Sequence, residues 1–153
     1  MVAVAHRQYR QHEVMGEYQW RLSFSRAEIV LINSGMQVQQ IAYHLLRYFI
    51  KTERLTDCTD NYGPGTLSNY HIKTLMLWVC ELKPRSWWTD DVNLVRMCVQ
   101  LLHTLAECLT DARCQHYFIN NCNLIGNSFN VTNITDRLTL IDETWLSTWF
   151  VDN

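Results

Sequence analysis

The chain has 153 residues, 48% of them hydrophobic and 18% charged, with a net charge of −2. That apolar fraction supports one domain with a sizeable core and excludes a disordered chain, and the near-neutral charge gives no overall drive toward nucleic acid. The charge is uneven, since Met1–Met76 holds eight basic and six acidic residues and the remainder five and nine.

From the N-terminus, residues 1–16 carry no signal-peptide pattern and are read as a poorly ordered segment ahead of a domain spanning 17–153. Tyr18, Trp20, Leu22 and Phe24 then alternate with Gln19, Arg21 and Ser23, the period of a half-buried strand. Arg21 and Ser23 fall on the same, polar face, and solvation at a sheet edge accounts for them without any ligand. Ser25-Arg26-Ala27-Glu28 has the form of a capping box, so a helix is expected over 26–32, broken at Asn33-Ser34-Gly35. A second helix fits Gln37–Glu53 with Val38, Ile41, Ala42, Leu45, Tyr48 and Phe49 inward.

Thr56–Thr66 contains Gly63-Pro64-Gly65 and reads as a loop. Ser68 caps a third helix with Ile72, Leu75, Met76 and Val79 on one face, and Pro84 stops it. Ser86–Asp91 opens a fourth helix, capped by Thr89, with Leu94, Val95, Cys98, Leu101, Leu102, Leu105 and Leu109 inward. A short helix is expected over 111–119, then an asparagine-rich connection. Ile134, Leu138, Ile141, Trp145 and Trp149 share helical spacing behind Asn133 as cap. The expected fold is mainly α: a helical bundle lobe with one N-terminal edge strand. The sequence offers that strand no convincing partner. An unpaired strand leaves a row of backbone donors and acceptors open, so its sheet is expected upstream or in another chain.

The chemistry is sparse. No two acidic residues stand at i, i+2, so no strand presents a carboxylate pair for divalent metal, and neither standard phosphate-binding glycine loop occurs. His103, Cys108, Cys114 and His116 are zinc-ligand types, but no C-x-x-C or H-x-x-x-H spacing joins them, and ordinary packing accounts for them better. Any Cys–His nucleophilic pair is equally unsupported. Trp87-Trp88 suits an aromatic platform for bases or, more simply, a cover over a helix start. Tyr70 sits at the start of the third helix, where free backbone N–H groups favour anions. Several of the six cysteines sit at core-like positions of helical patterns, and all are read as reduced thiols, placing the protein in the cytosol or nucleus. The sequons at Asn130 and Asn133 follow no secretory signal and are read as fortuitous. The longest apolar run, Leu75–Cys80, is far short of the roughly 18 residues that a membrane span needs.

Four blocks in order carry a family resemblance. Trp20-Arg-Leu-Ser-Phe-Ser25 resembles the W-R-[LI]-S-F-S signature of the Mab-twenty-one-like (male abnormal) proteins and cyclic GMP–AMP synthase. Tyr43-His-Leu-Leu-Arg-Tyr48, Leu67-Ser-Asn-Tyr-His-Ile-Lys-Thr74 with Trp78-Val-Cys80, and His116-Tyr-Phe-Ile119 with Asn123-Leu124 resemble its later blocks. The resemblance spans Glu17–Ile125 and is closer to the Mab-twenty-one-like branch. It implies the C-terminal half of a two-lobed nucleotidyltransferase-like fold, namely the helical (HhH/H2TH-like) lobe without the N-terminal lobe that carries the catalytic carboxylates. It further implies nucleotide-binding roles for Arg21, Ser23 and Tyr70, the first two on the base edge and Tyr70 stacked on a base. Asn69 replaces the second serine of its block, and the synthase's phosphate-binding lysine and zinc insertion have no match. No cofactor is implied for this chain, whereas Mg or Mn and nucleotide are implied for an intact parent. The expected partners are the missing lobe, nucleotide, and a second copy through the strand edge. No membrane partner is expected, and nucleic acid is left open. An active cyclic-dinucleotide-synthase-like parent and a non-enzymatic helical adaptor are the alternatives.

Overall fold

The computed structural model describes residues 2–6, 19–55, 67–89, 94–125 and 132–153, with backbone alone at 2–6, 19–23 and 132. The expected loop around Gly63-Pro64-Gly65, Cys58, Asp90 and Asp91, Asn130, and the side chains of Arg21 and Ser23 lie outside the described residues. The fold is mainly helical. Strands β1 (Val2–His6) and β2 (Gln19–Ser23) precede helices α1 (Ser25–Ser34), α2 (Gln37–Thr52), α3 (Asn69–Leu82), α4 (Arg85–Trp88), α5 (Leu94–Thr110), α6 (Thr132–Thr139) and α7 (Glu143–Asp152).

The strand expected to lack a partner has one within the chain. β1 pairs antiparallel with β2, with Val2 opposite Ser23 and Val4 opposite Arg21. β1 lies in the stretch read as poorly ordered. Its Val-Ala-Val-Ala sequence escaped notice because alanine is a weak strand former.

α5 is the centre of the bundle, packed against α2, α3, α6 and α7, while α1 lies on α3 and α2. Met97, Cys98, Val99, Leu101, Leu102, Leu105, Ala106 and Leu109 of α5 are all buried. On α2 the inward stripe is Val38, Ala42, Tyr43, Leu46, Phe49 and Ile50, a face rotated from the expected one. Ile41 and Tyr48 are exposed. Apolar residues cover more than one side of α2, so periodicity alone left its phase open. α3 buries Ile72, Leu75, Met76 and Val79 as expected, and its last turn closes through Lys83 N–H to the carbonyl of Val79, one residue before Pro84.

The Ser25–Glu28 capping box does not form. Phe24 is the N-cap residue and Ser25 is already helical, so Glu28 is one position too far along to reach back. Its carboxylate turns inward instead. Gly35 then lets the chain turn tightly into α2, because a Cβ there would stand 2.7 Å from Gln39 Oε1, which is occupied in accepting the Met36 N–H at 2.8 Å.

Two helix ends fall where no glycine announces them. Arg54 and Ala112 have φ of 52° and 49°. In each case the next residue donates to the carbonyl five back (Leu55 to Ile50, Arg113 to Cys108), and the left-handed residue donates three back, which is a Schellman closure. The closure at Ala112 replaces the helix expected over 111–119 with turns and an isolated bridge, Gln115 to Asn123. The single C-terminal helix expected behind Asn133 is two, α6 already including Asn133. Asp142 caps α7 by accepting the Trp145 N–H at 2.7 Å. The expected fourth helix is likewise divided into α4 and α5.

The observed phase of α2 has a mutational consequence. Leu46→Ala removes a fully buried side chain and is expected to cost ~3 kcal/mol, whereas Ile41→Ala costs less than ~1 kcal/mol. Urea denaturation followed by circular dichroism measures both, and the reverse order would restore the other face.

Candidate functional site

Tyr70 is the second residue of α3, held there by the turn that begins the helix. The N–H of Ser68 donates to Nδ1 of His71 at 3.0 Å, a side-chain bond that satisfies one of the donors a helix start leaves open. His71 Nε2 donates in turn to the Leu124 carbonyl at 3.3 Å. The helix start is thereby tied to the far end of the 111–125 loop.

A second histidine ties the middle of that loop. The N–H groups of Phe118 and Ile119 both donate to Nδ1 of His116, at 3.0 and 3.3 Å. The neutral ring therefore carries its proton on Nε2, 2.7 Å from the Tyr70 hydroxyl oxygen, which accepts it. Phe24 stacks on Phe118 at 4.9 Å and meets the His116 ring edge-on at 5.7 Å. Tyr70 is thus brought within one side chain of Phe24, the residue that follows Ser23. Asn123 shapes the rest of the loop: its Oδ1 accepts the Cys114 N–H at 2.8 Å, and its Nδ2 donates to the Ala112 carbonyl at 2.7 Å.

One turn further along α3, Lys73 faces Glu28 of α1. Nζ lies 3.6 Å from Oε2, near enough for strong attraction but too far for a hydrogen bond, so that buried oxygen has no hydrogen-bond partner. Glu28 is 2% exposed and is the one buried residue of α1. Arg47 lies over the Tyr43 ring at 5.4 Å. Burial raises the Tyr43 hydroxyl pKa above its ordinary value, and the nearby Arg47 opposes that rise.

Of the three residues expected to bind nucleotide, Tyr70 is placed in this cluster, and the backbone of Arg21 and Ser23 lies in β2, immediately before Phe24. Phe24, His116, Glu28 and Lys73 were not singled out as site residues. A charged residue followed by Ile29-Val-Leu-Ile32 was the available signal for Glu28. His116 was visible only as a zinc-ligand type, yet its nitrogens serve the loop and Tyr70. His103, the other histidine of that group, bonds the Ile141 carbonyl at 2.9 Å. Among the described residues no three His, Cys, Asp or Glu side chains are gathered as a metal site needs. Burial pushes the thiols of Cys98 and Cys114 up to about 12 and that of Cys80 to about 11, so these three are neutral and poorly nucleophilic at physiological pH. Trp88 is buried and Trp87 lies under Lys83, whose Nζ is 5.5 Å from its ring, which fits the cover reading of this pair rather than a bare platform.

Burial lowers the His71 pKa below its ordinary 6.5, outweighing the opposing bonds to Leu124 and Ser68. The unfolded state therefore binds the proton more readily. The stability linked to His71 is complete above pH ~6.5 and is lost as pH falls through the lower folded value. Urea midpoints should fall between pH 7.5 and 5.5 by more in wild type than in His71→Gln; equal falls would refute the assignment. Separately, Lys73→Met leaves Glu28 buried without a counter-charge and is expected to cost ~3 kcal/mol, much of it recovered by adding Glu28→Gln. A double-mutant cycle in urea reads the coupling.

Comparison with known proteins places this arrangement. Residues 38–143 match the family described as the Mab-21 protein HhH/H2TH-like domain. Protein mab-21-like 3 of Danio rerio is 31% identical over 128 residues, covering 79% of this chain and 30% of that protein. Protein male abnormal 21 of Caenorhabditis briggsae is 30% identical over 120 residues, covering 76% and 29%. The chain thus spans about 30% of the length of these relatives. With most of its length inside that domain, the chain belongs to the Mab-21 family.

Proposed function

We propose that the chain is the helical C-terminal lobe of a Mab-21-like protein and forms one wall of a nucleotide-binding cleft. The observation that carries this is the convergence of Tyr70 and the end of β2 through His116 and Phe24. It assembles at one end of the lobe the positions of Arg21, Ser23 and Tyr70. In this reading Tyr70 stacks on a base while Arg21 and Ser23 read its edge. The hydrogen bond to His116 fixes the tyrosine ring before a ligand arrives, which lowers the ordering cost of binding.

The opposite wall and the metal-binding carboxylates belong to the part of the parent that this chain does not span. Mg or Mn, and the nucleotide they accompany, are assigned to that assembled parent. Three acidic residues here serve other ends: Glu28 is buried beside Lys73, Asp142 caps α7, and Glu143 pairs with Arg96 at 2.9 Å. α1 supports a two-lobed parent as well. It buries its glutamate and exposes Ile29, Val30 and Leu31 at 51%, 65% and 40%, an apolar face of the kind that another domain covers. The same face fits the alternative of a helical adaptor for a protein partner. The outer edges of the two-stranded β1–β2 sheet leave self-association open to this lobe, and a cytosolic or nuclear setting agrees with the free thiols of Cys80, Cys98, Cys108, Cys114 and Cys122.

Calorimetry of the chain with ATP and GTP should give weak binding, with Kd in the roughly millimolar range, because half a cleft surrounds little of a ligand. Arg21→Ala and Tyr70→Ala should each abolish it. Tight binding indifferent to both variants would sink the site assignment. Incubation with Mg or Mn and labelled nucleotide should yield no incorporation, and measurable transfer by the chain alone would overturn the division of labour between lobes.

A further inference from the structure

At the end of the bundle formed by α2, α6 and α7, Trp145 is 44% exposed and divides two depressions. One, of about 280 Å³, is walled by Phe49, Leu55, Leu138 and Leu140. Leu140 is 82% exposed, so this depression opens beside a bare aliphatic side chain. Its cation, Arg137, is committed to Glu53 at 2.9 Å. The other, of about 400 Å³, runs along α7 between Asp142, Trp145, Thr148 and Asp152. Asp142 uses Oδ1 to cap the helix, and neither Asp142 nor Asp152 has a basic partner among the described residues.

The indole of Trp145 packs beside a ring cluster that is itself tied to α2. Phe49 meets Trp145 edge-on at 6.1 Å and Trp149 at 4.9 Å, and the Trp149 Nε1–H donates to Glu53 Oε1 at 2.7 Å. Indole is the side chain that attracts a cation most strongly, and the two carboxylates that line the same depression have the sign that a cation needs. On its other side the same indole borders an apolar depression. The occupant that satisfies both is an extended peptide segment in which basic and aliphatic residues are neighbours.

We propose that this surface is a docking site for such a basic–aliphatic segment of a partner protein, with Trp145 as the anchor between an arginine or lysine on the α7 side and an aliphatic residue on the α6 side. It is separate from the residues assigned to nucleotide, sharing no side chain with Tyr70, His116 or Phe24. A segment of opposite charge is disfavoured by the carboxylates, and a purely apolar one leaves them unanswered.

The test uses the whole chain and two blocked synthetic peptides, one alternating leucine and arginine and one alternating leucine and glutamate. Calorimetry should detect the arginine peptide and not the glutamate peptide. Trp145→Ala should weaken the arginine peptide about tenfold, as expected for losing a central aromatic anchor. Asp152→Lys, a surface change that spares folding, should weaken it by a similar factor, and added salt should weaken wild type more than Asp152→Lys. The proposal is overturned if neither peptide binds, if both bind equally, or if Asp152→Lys and Trp145→Ala leave affinity unchanged. It is also overturned if light scattering shows that Trp145→Ala dissolves a homodimer, because the occupant is then a second copy of the chain.

Discussion

Helix α5 imposes the arrangement of everything around it. Only a narrow strip of its surface, marked by Arg96, Gln100, Glu107 and Thr110, is exposed. The remainder is lined by buried leucines, Met97, Cys98 and Val99, each of which gains on the order of 1.5–3 kcal/mol from leaving water if it is large. A helix with so wide an apolar face is stable only when covered on several sides. α2 and α3 cover it on one part of its circumference and α6 and α7 on another. The proposed nucleotide residue Tyr70 stands on α3 and Trp145 on α7, two different coverings of one central helix, while α2 contributes Phe49 to the Trp145 side.

The loop after α5 has the opposite problem. It lacks regular secondary structure over most of its length, so its backbone groups need partners of other kinds. Side chains supply them: Asn123 takes the Cys114 N–H and gives to the Ala112 and Ile125 carbonyls, His116 takes two N–H groups, and His71 reaches the Leu124 carbonyl from α3. His71, His116 and Asn123 are thus consumed in holding backbone. This organises the site, since the histidine that fixes the loop also fixes Tyr70, and the phenylalanine the loop presents is the one that Phe24 stacks upon.

What was legible in the sequence follows the same division. α3 was readable because Ser68 and Pro84 bound it and the stripe Ile72, Leu75, Met76 and Val79 is buried, although the run Leu75–Cys80 carries apolar residues beyond that stripe. α2 was readable as a helix but not in phase, because Ile41 and Tyr48 extend its apolar surface beyond the buried face. Tyr48 serves α7 instead, its ring 5.9 Å from Trp149 and its hydroxyl donating to the Asn153 carbonyl. The closures at Arg54 and Ala112 were invisible, since a left-handed residue other than glycine or asparagine is chosen by tertiary context. At Arg54, burial of Leu55 beyond it supplies that context. β1 was missed because pairing with β2, not its own composition, makes it a strand. At the candidate site, Tyr70 was legible by resemblance. The Glu28–Lys73 pair was not, because it joins residues 45 positions apart that only the packing of α1 on α3 brings together.

Glu28 shows how the two ends of the chain's chemistry differ. A carboxylate at 2% exposure is made tolerable in part by the Lys73 ammonium beside it, and the lack of a hydrogen bond on Oε2 means that the attraction is incompletely used. Replacing both charges by apolar groups of similar size would remove that tension at little cost to packing. The pair instead fixes α1 to α3 in one register, because an apolar contact slides where a buried charge must meet its partner. That constraint acts on α1, which leads directly out of β2, and on α3, which carries Tyr70. At the α6–α7 end the carboxylates are solvated: Asp142 caps α7 through Oδ1, while Asp152 is exposed and has no basic partner among the described residues, so neither carries a desolvation cost of this kind.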